Sequence, residues 1–372
     1  MRRVRRISLR DFRSYEALDI RTDAGAVVLY GPNGAGKTNL LEALSLMGPG
    51  RGLRRATAAE VARQKGTGGW GIGIGLGDED DEISLSLRAE PPEPLRKVAQ
   101  IDGASVSSST VFADHLRFAW LTPAQDRLFL DAPGDRRRFL DRMVLTGDAA
   151  HAPRSLAYEK AMRQRQAVLS DKWDQGLLSL LESQMAEHGA AIVAARQRTL
   201  EELASGYASL RTGAFPGALL ALSGPYEEDI AAGQPLAEIE ARLKDDLARS
   251  RRRDTEAGRA LAGPHRADLA VTHREKNQAA KFCSTGEQKA LLVGLVLAHA
   301  ASEAQRSEAP LILLLDEISA HLDGARRAAL AEILASLRIQ AFMTGTDREP
   351  FSPWSDSALM IEIGEGGNAH PE

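Results

Sequence analysis

The sequence predicts an α/β protein that has a mixed or antiparallel sheet region at its N-terminus and an inserted, mainly helical lobe. Three observations support this fold class. Strand-like runs of apolar residues fill the first 30 positions, and alternating patterns continue over 70–101. Apolar residues then recur at helical spacing over 135–259. After Gly263 the chain returns to strand and helix patterns in turn.

These patterns divide the 372 residues into three segments. Residues 1–134 and 261–372 are predicted to form two parts of one α/β lobe, and residues 135–260 a second, helical lobe. The helical segment is too short for a long coiled-coil arm, because a hairpin within it would have arms of only a few tens of residues. The last residues, 364–372, are expected to be irregular.

Composition excludes several classes of protein. The formal net charge is -4, and the longest apolar run, at 290–298, is far shorter than the roughly 20 residues of a membrane-spanning helix. A single cysteine, Cys283, cannot form an internal disulfide, so we predict a cytoplasmic protein. Arginines cluster at 51–55, 136–138 and 251–253. Such clusters indicate local basic surfaces for nucleic acid, although solvated helix faces explain them equally well.

A glycine-rich segment lies between the apolar run 26–30 and a predicted helix over 37–47. It fits the pattern G-x-x-x-x-G-K-[ST] without a mismatch, and glycines in such a loop turn backbone amides toward phosphate oxygens. Lys37 would supply a mobile cation, Thr38 a hydroxyl for Mg²⁺, and the helix N-terminus a partial positive charge. The segment therefore predicts nucleoside triphosphate binding by Gly31, Pro32, Asn33, Gly34, Ala35, Gly36, Lys37 and Thr38.

Two carboxylates follow the apolar run 311–315, which is typical of a buried parallel strand. Ligands bind at the carboxyl ends of strands in an open α/β sheet, so this end is expected beside the phosphate loop. Asp316 is then placed to hold the Mg²⁺ shell, and Glu317 to polarise a water for in-line attack on the γ-phosphate. For this segment alone, an ordinary acidic turn after a core strand is the alternative.

A second candidate anion site opens the helix predicted after Cys283, in the segment CSTGEQK. Ser284 as N-cap and Gly286 in the first turn would present backbone amides to an anion. A monomer that binds one nucleotide has no use for a second anion site. Such a site is useful if it contacts the γ-phosphate of a nucleotide bound to a second subunit. A capping box between Ser284 and Glu287 explains the same residues locally.

In combination, the phosphate loop, the serine–glycine segment and the acidic strand end resemble the head domain of ABC-type ATPases, in the branch that contains SMC proteins. More narrowly, the chain is similar to the RecF family of bacterial recombination mediators. The segments that carry this likeness span nearly the full length: RISLRDFRSYEALDI, GPNGAGKTNLLEAL, RRRFLD, GPHRADL, STGEQKALL and LLLDEISAHLD. The resemblance implies an ABC-type ATPase head with an inserted helical lobe, and ATP and Mg²⁺ as cofactors.

The resemblance also implies roles for individual residues. Lys37 and Thr38 match the Walker A lysine and its metal-binding threonine, and Asp316 and Glu317 match the Walker B pair. Catalytic candidates are thus Glu317, Asp316 and Lys37. Further nucleotide contacts are carried over to Gln125 in the Q-loop, to Ser284, Gly286 and Gln288 in the signature, and to Asp323 in the loop that crosses the dimer interface. The metal-ligand candidates are Thr38, Gln125 and Asp316.

The position of the transporter switch histidine corresponds to 343–346 here, where no histidine occurs. Either Thr344 or Thr346 would then sense the γ-phosphate.

By resemblance, the protein acts in recombinational DNA repair and replication-fork maintenance, with a link to the SOS response. ATP would close a homodimer over gapped DNA or over junctions of single- and double-stranded DNA. RecR and RecO are the implied partners, RecA is loaded at gaps, and slow, DNA-dependent ATP hydrolysis resets the clamp. Two other functions compete: the energy-coupling subunit of a membrane transporter, and a protein that binds ATP only as a structural ligand. The helical insertion disfavours the first, and Asp316 with Glu317 disfavours the second.

Several residues have two interpretations. The arginines at 136–138 fit either contacts with DNA phosphates or a helix on which they pair with Asp135 and Asp141. The pair at 265–266 fits either a nucleotide or DNA contact or a turn before a strand. Resemblance places Arg13 near the nucleotide. The tryptophans predicted to lie in the core are Trp70, Trp120 and Trp173.

Overall fold

The computed structural model describes residues 2–78, 81–92, 95–171, 173–210, 213–320, 322–364 and 367–371. The chain forms two compact units. The first comprises Met1–Asp126, Gly206–Pro216 and Ser284–Glu372, and the second comprises Arg127–Ser205 and Gly217–Cys283. Within the described ranges, none of the helices combines the length and the apolar content that a bilayer span requires.

The strands of the described residues are β1 (Arg3–Phe12), β2 (Tyr15–Arg21), β3 (Ala26–Tyr30), β4 (Trp70–Gly77), β5 (Glu82–Glu90), β6 (Arg96–Ile101), β7 (Ala104–Val106), β8 (Arg117–Leu121), β9 (Ala218–Ser223), β10 (Asp268–His273), β11 (Gln278–Ala279), β12 (Leu311–Leu315), β13 (Gln340–Gly345), β14 (Ala358–Ile363) and β15 (Ala369–Pro371). The α-helices are α1 (Lys37–Leu46), α2 (Ala58–Val61), α3 (Pro133–Gly147), α4 (His151–Ser170), α5 (Gln175–Ser209), α6 (Pro225–Ala231), α7 (Leu236–Ala257), α8 (Thr285–Arg306) and α9 (Gly324–Leu337).

The first unit contains the expected antiparallel sheet, with the strand order β2-β1-β4-β5-β6-β7. In β4, buried apolar residues alternate with glycines, so the two sets lie on opposite faces. Glycine ordinarily weakens a strand because it has no side chain to pack. Here β4 pairs with β5 along its whole length and with β1 over 71–77, and these two backbone ladders hold the strand in place.

A second sheet in the first unit has the order β15-β14-β3-β13-β12-β8. All of its strands except β15 run parallel. Strands β3 and β12 are buried along their whole length, which explains their continuous apolar sequences. The carboxyl ends of parallel strands meet at one edge of the sheet. That edge therefore brings together the glycine-rich loop after β3, Thr344 at the end of β13, Asp316 after β12 and Gln125 after β8.

Helix α1 belongs to the core of the first unit. Leu40 and Leu44 of this helix are completely buried in an apolar cluster that also contains Ile72 of the antiparallel sheet and Leu314 of the parallel sheet. Burial of each leucine contributes about 1.5–3 kcal/mol. The helix that follows the glycine-rich loop is thus anchored on both sides, and it fixes the loop relative to the strand ends.

The core of the second unit is formed largely by α4, α5 and α7. A buried ionic network joins the same three helices: Arg165 Nε donates to Glu182 at 3.0 Å, and its Nη1 donates to Asp254 at 2.6 Å. All three side chains are almost completely buried. Removal of one partner would leave an uncompensated charge in the core, which is strongly destabilising. The network therefore makes the packing of these helices specific.

The second unit also contains a small sheet of order β11-β10-β9. Strand β9 lies inside the segment that the sequence pattern assigned to helix, and that part of the prediction is wrong. A short apolar run such as ALLALS has no periodicity that separates a strand from a helix. Pairing with β10 at all six positions decides the outcome.

Two further predictions need correction. The tail was expected to be irregular, but Ala369–Pro371 pairs with β14; residues 365, 366 and 372 lie outside the described residues. Trp70 and Trp120 are buried as predicted. Trp173 is 46% exposed, because its indole N–H donates to the Leu169 carbonyl at the end of α4 and holds the ring outside the core.

Candidate functional site

The glycine-rich loop joins the end of β3 to the start of α1. Gly36 is the N-cap of α1 with a φ of 115°, and no side chain of the described residues caps the helix there. A Cβ atom at Gly36 would lie 2.6 Å from Oγ of Ser14, so the space as well as the backbone angle requires glycine. The first-turn amides and the positive end of the helix dipole can therefore bind an anion. Among the other predicted loop residues, Pro32, Asn33 and Gly34 are exposed, and Gly31 and Ala35 are buried.

The ammonium group of Lys37 is held inside this loop. Its Nζ donates to the carbonyl oxygens of Gly31 at 2.6 Å and Pro32 at 2.8 Å. Burial lowers the pKa of Lys37, and the nearby carboxylates of Glu317 and Asp316 act in the opposite direction. The loop thus keeps a cation at the point where phosphate oxygens would lie.

Thr38 and Asp316 are 278 positions apart in the sequence and lie in contact. Thr38 Oγ1 donates to Oδ1 of Asp316 at 2.9 Å. The Asp316 side chain is buried, and its backbone N–H donates to the Leu121 carbonyl at the end of β8. Hydroxyl and carboxylate oxygens suit Mg²⁺, which takes its other ligands from phosphate and water. No group of three or more His, Cys, Asp or Glu in the described ranges is suited to hold a metal. Thr38 and Asp316 therefore fit a Mg²⁺ ion that binds together with a triphosphate.

Glu317 lies next to this pair, exposed and with a φ of 52°, which is uncommon for a residue other than glycine. Its backbone N–H donates to Oγ1 of Thr344 at 2.8 Å, and the same hydroxyl donates to Asp316 Oδ1 at 2.8 Å. Thr346, by contrast, is exposed and donates to Asp347. Of the two threonines that the sequence left as alternatives, Thr344 contacts the acidic pair.

Two predicted nucleotide or metal contacts form local caps. Gln125 lies in a 3₁₀ turn after β8, where its Oε1 accepts the N–H of Thr122 at 2.8 Å. Asp323 is the N-cap of α9, and its carboxylate accepts the N–H of Arg326 at 2.9 Å. The strand order places Gln125 at the same sheet edge as Asp316. The roles of Gln125 and Asp323 toward a nucleotide stay predictions, and His321 lies outside the described residues.

The signature segment contains the capping box that the local interpretation required. Ser284 caps α8, and Glu287 completes the box. Ser284 and Gly286 are exposed, whereas Gln288 is buried. A Cβ atom at Gly286 would meet no atom of the described residues within 4 Å, although glycine in a helix costs about 1 kcal/mol relative to alanine. Packing among the described residues therefore does not explain why position 286 is glycine.

One contact between the signature segment and the predicted Q-loop was not expected from the sequence. Lys289 Nζ lies 3.6 Å from Oδ2 of Asp126, so an ion pair joins the signature helix α8 to the turn that carries Gln125. Both residues directly follow predicted site residues, but a single sequence contains no signal that pairs charges so far apart. The contact is decided by the placement of α8 beside β8.

The three arginines at 136–138 all have partners within the second unit. Arg136 forms a bidentate pair with Asp268, Arg137 donates to the Ala267 carbonyl, and Arg138 pairs with Asp135. The predicted pairing with Asp135 is confirmed.

The predicted pairing of this run with Asp141 is wrong. Asp141 accepts two hydrogen bonds from Arg196, from Nε at 2.7 Å and from Nη2 at 2.9 Å. This bidentate geometry is stronger than a single contact along a helix surface.

Two other candidates also make internal contacts. Arg13 donates to both carboxylate oxygens of Glu42 in α1, at 2.9 and 2.7 Å. His265 lies in a 3₁₀ turn, with its Nδ1 2.7 Å from the hydroxyl of Tyr158. The turn interpretation of the segment GPHRADL is therefore confirmed.

Comparison with known proteins shows the family of the chain. The model of the RecF/RecN/SMC N terminal domain family matches residues 3–363. The DNA replication and repair protein RecF of Mesorhizobium japonicum is 49% identical over 367 residues, which are 98% of this chain and 96% of the relative. The chain belongs to the RecF family. The protein of the same name from a Caulobacter species is 46% identical, over 97% of this chain and 96% of the relative.

Solved structures agree in fold. The recombination mediator protein RecF-ATPrS of the RecFOR pathway has a TM-score of 0.85 at 22% identity, with 100% of this chain and 98% of that chain covered. The form described as RecF-ATP has a TM-score of 0.81, with 100% and 99% covered, at the same identity. An Smc head domain from Pyrococcus furiosus, bound to the C-terminal domain of ScpA, has a TM-score of 0.56 at 16% identity, with 100% and 96% covered. The predicted α/β fold of an ABC-type head is confirmed.

Proposed function

We propose that this protein is an ATP-dependent DNA-binding protein of recombinational repair and replication-fork maintenance. Its membership in a family of DNA replication and repair proteins supports a role in DNA repair. Relatives described as RecF-ATP and RecF-ATPrS support ATP as the bound nucleotide. The observation that carries the ATPase part is the 2.9 Å contact between Thr38 and Asp316, because it joins the end of the phosphate loop to a buried carboxylate.

In this proposal the phosphates of ATP lie along the amides of the glycine-rich loop. Lys37 exchanges its bonds with the Gly31 and Pro32 carbonyls for bonds with phosphate oxygens, so its charge stays hydrogen-bonded in both states. Bound Mg²⁺, held by Thr38 and Asp316, would neutralise negative charge on the phosphates.

Glu317 is the proposed base. Its carboxylate orients a water and takes its proton while the water oxygen forms a bond to the γ-phosphorus. The bond between that phosphorus and the β–γ bridging oxygen breaks, and ADP and phosphate leave. We propose that this hydrolysis is slow and depends on DNA.

Dimerisation is proposed from the signature segment. The exposed turn around Ser284 and Gly286 has the amides of an anion site and a glycine that packing among the described residues does not require. A γ-phosphate bound to a second copy of the chain would fill this space, with Asp323 crossing the interface and Gln125 completing the site. Closure would then be favoured only while the γ-phosphate is present.

The closed homodimer would clamp gapped DNA or junctions of single- and double-stranded DNA in the cytoplasm. The relatives described as part of the RecFOR pathway support RecR and RecO as partners, with loading of RecA at gaps and a link to the SOS response. A net charge of -4 does not argue against DNA binding, because DNA phosphates contact a local surface and not the whole molecule. Closure of the dimer would create that surface by aligning two modest basic surfaces, one on each subunit.

The experiment that tests this function uses Glu317→Gln, which keeps the shape of the side chain and removes the base. We expect ATP to convert this variant from monomer to dimer in light scattering and to trap it on gapped DNA. DNA affinity is measured with and without ATP as salt is raised, on gapped, single-stranded and duplex substrates. A monomer at saturating ATP would contradict the clamp, as would equal duplex binding by monomer and dimer at physiological salt.

A further inference from the structure

We propose that Thr344 is a positioning residue of the ATPase site, and that its hydroxyl orders Asp316 and Glu317 rather than contacting the γ-phosphate. The inference rests on the proposed function, because it concerns the hydrolysis of ATP at the same strand ends. Thr344 is the second-to-last residue of β13, the strand between β3 and β12 in the sheet. Its side chain therefore lies between the glycine-rich loop and the acidic pair.

The hydroxyl group of Thr344 has one proton, and a hydrogen bond within the protein already uses it. A hydroxyl donates once and accepts at two lone pairs. Thr344 Oγ1 donates to Asp316 Oδ1 at 2.8 Å and accepts the backbone N–H of Glu317 at 2.8 Å. The residue is completely buried. A bond from this hydroxyl to a γ-phosphate would require loss of the bond to Asp316, so Thr344 is unsuited to direct sensing.

The bond to Asp316 orients a proposed metal ligand. Oδ1 of Asp316 accepts from both Thr38 and Thr344, at 2.9 and 2.8 Å. Two donors on one oxygen fix the plane of the carboxylate, and groups that hold a metal ligand in this way typically contribute 10- to 100-fold to metal affinity or activity.

The bond to Glu317 stabilises an unusual backbone conformation. With a φ of 52°, Glu317 adopts the left-handed region, which costs about 1–2 kcal/mol for a residue with a Cβ atom. The hydrogen bond from the Glu317 N–H to the Thr344 hydroxyl helps to offset that cost. It also fixes the direction in which the Glu317 side chain leaves the backbone. One hydroxyl therefore sets the geometry of both carboxylates.

Thr346 differs in each of these respects. Its side chain is exposed, its hydroxyl donates to Asp347, and its carbonyl accepts the N–H of Gly31 in the glycine-rich loop. Of the two threonines at the switch position, Thr346 is the one whose hydroxyl can reach a ligand without breaking a bond to the acidic pair.

The test compares Thr344→Val, which keeps the volume and removes the hydroxyl, with Thr344→Ser, which keeps the hydroxyl. For T344V we expect kcat for ATP hydrolysis to fall about 10- to 100-fold with little change in KM. The Mg²⁺ concentration that gives half-maximal binding of a fluorescent ATP analogue should rise, while binding in EDTA stays at the wild-type level. T344S should remain within a few fold of the wild type in every measurement.

Three outcomes would overturn the inference: T344V equal to wild type in kcat and Mg²⁺ dependence, equal impairment of T344V and T344S, or equal weakening of analogue binding with Mg²⁺ and with EDTA. Thermal unfolding identifies a variant that fails to fold, and Thr344→Ala then replaces T344V as the variant without a hydroxyl. Absence of ATP hydrolysis by the wild type would instead contradict the proposed function. The Mg²⁺ dependence of analogue binding still tests Thr344 in that case.

Discussion

The guanidinium of Arg136 and the carboxylate of Asp268 form a bidentate ion pair, with Nε to Oδ1 at 2.7 Å and Nη2 to Oδ2 at 2.8 Å. The pair joins α3 to β10, and Nη1 of the same arginine donates to the Asp131 carbonyl at 2.6 Å. The hydrogen bond with Asp268 raises the pKa of Arg136 further above its usual value. An arginine from a run that suggested a DNA-binding patch is thus part of the framework of the second unit.

Replacement of Arg136 is therefore expected to destabilise the protein. Arg136→Gln should lower the free energy of unfolding by about 1–3 kcal/mol, because it leaves the partly buried Asp268 without its charged partner. The matched control is Arg138→Gln, whose exposed pair with Asp135 should contribute less than about 0.5 kcal/mol. Urea unfolding measures both. If R136Q unfolds like the wild type and loses DNA affinity, Arg136 contacts DNA instead.

Replacement of Lys37 by arginine tests the phosphate loop. The charge is kept, but a planar guanidinium cannot take the place of an ammonium that lies within 2.8 Å of two loop carbonyls. We expect K37R to retain some nucleotide binding and to lose ATP hydrolysis by a factor on the order of 100. Fluorescent nucleotide titration and phosphate release measure the two effects, with the exposed Lys65→Arg as control. Unchanged turnover would remove the site assignment.

Position 286 should show opposite effects on stability and function. Gly286→Ala places a methyl group in open space at the second position of α8, and alanine favours the helix by up to about 1 kcal/mol. Thermal stability should therefore stay equal or rise, while ATP-dependent dimerisation and hydrolysis fall. Gly176→Ala is a matched control, because Gly176 is the second residue of α5 and is also exposed. Normal dimerisation of G286A would show that no partner approaches this turn.

Glu227 should make stability depend on pH. Burial raises its pKa from 4.5 to about 7, Oε1 has no hydrogen-bond partner in the part of the chain that the structure describes, and Arg196 Nη1 lies 4.0 Å away. A carboxyl whose pKa is raised on folding binds its proton more tightly in the folded state. Its contribution is therefore present below about pH 4.5 and is lost as pH rises through about 7.

The total effect on the free energy of unfolding is at most about 3.5 kcal/mol, since one pKa unit corresponds to about 1.4 kcal/mol. Glu227→Gln should remove this part of the pH dependence, and the exposed neighbour Glu228→Gln should retain it. Thermal unfolding between pH 5 and 8 provides the measurement. A slope that persists in E227Q would assign the dependence to another group.

Much of the fold and the site follows from local patterns. The glycine-rich loop, the buried strands 26–30 and 311–315, and the capping box at Ser284 each depend on residues only a few positions apart, so their periodicity and caps predict them directly. Strand β9 and the exposed Trp173 were missed because both depend on what packs beside them. The same limit applies to the arginines at 136–138, whose composition is equally typical of a DNA-binding surface.

By itself the sequence determined that this α/β protein has a phosphate loop, a strand that ends in two carboxylates, and a glycine-containing turn around Gly286. Each of these is a local motif, which residues close together in the sequence form. Only the tertiary structure decided which distant side chains meet. The strand order brings Thr344 into contact with Asp316 and Glu317. The position of α8 pairs Lys289 with Asp126, and the position of β10 pairs Asp268 with Arg136. Hydrogen bonds and ion pairs require atoms within a few ångströms, and in a single sequence that proximity depends on the pairing of elements far apart in the chain.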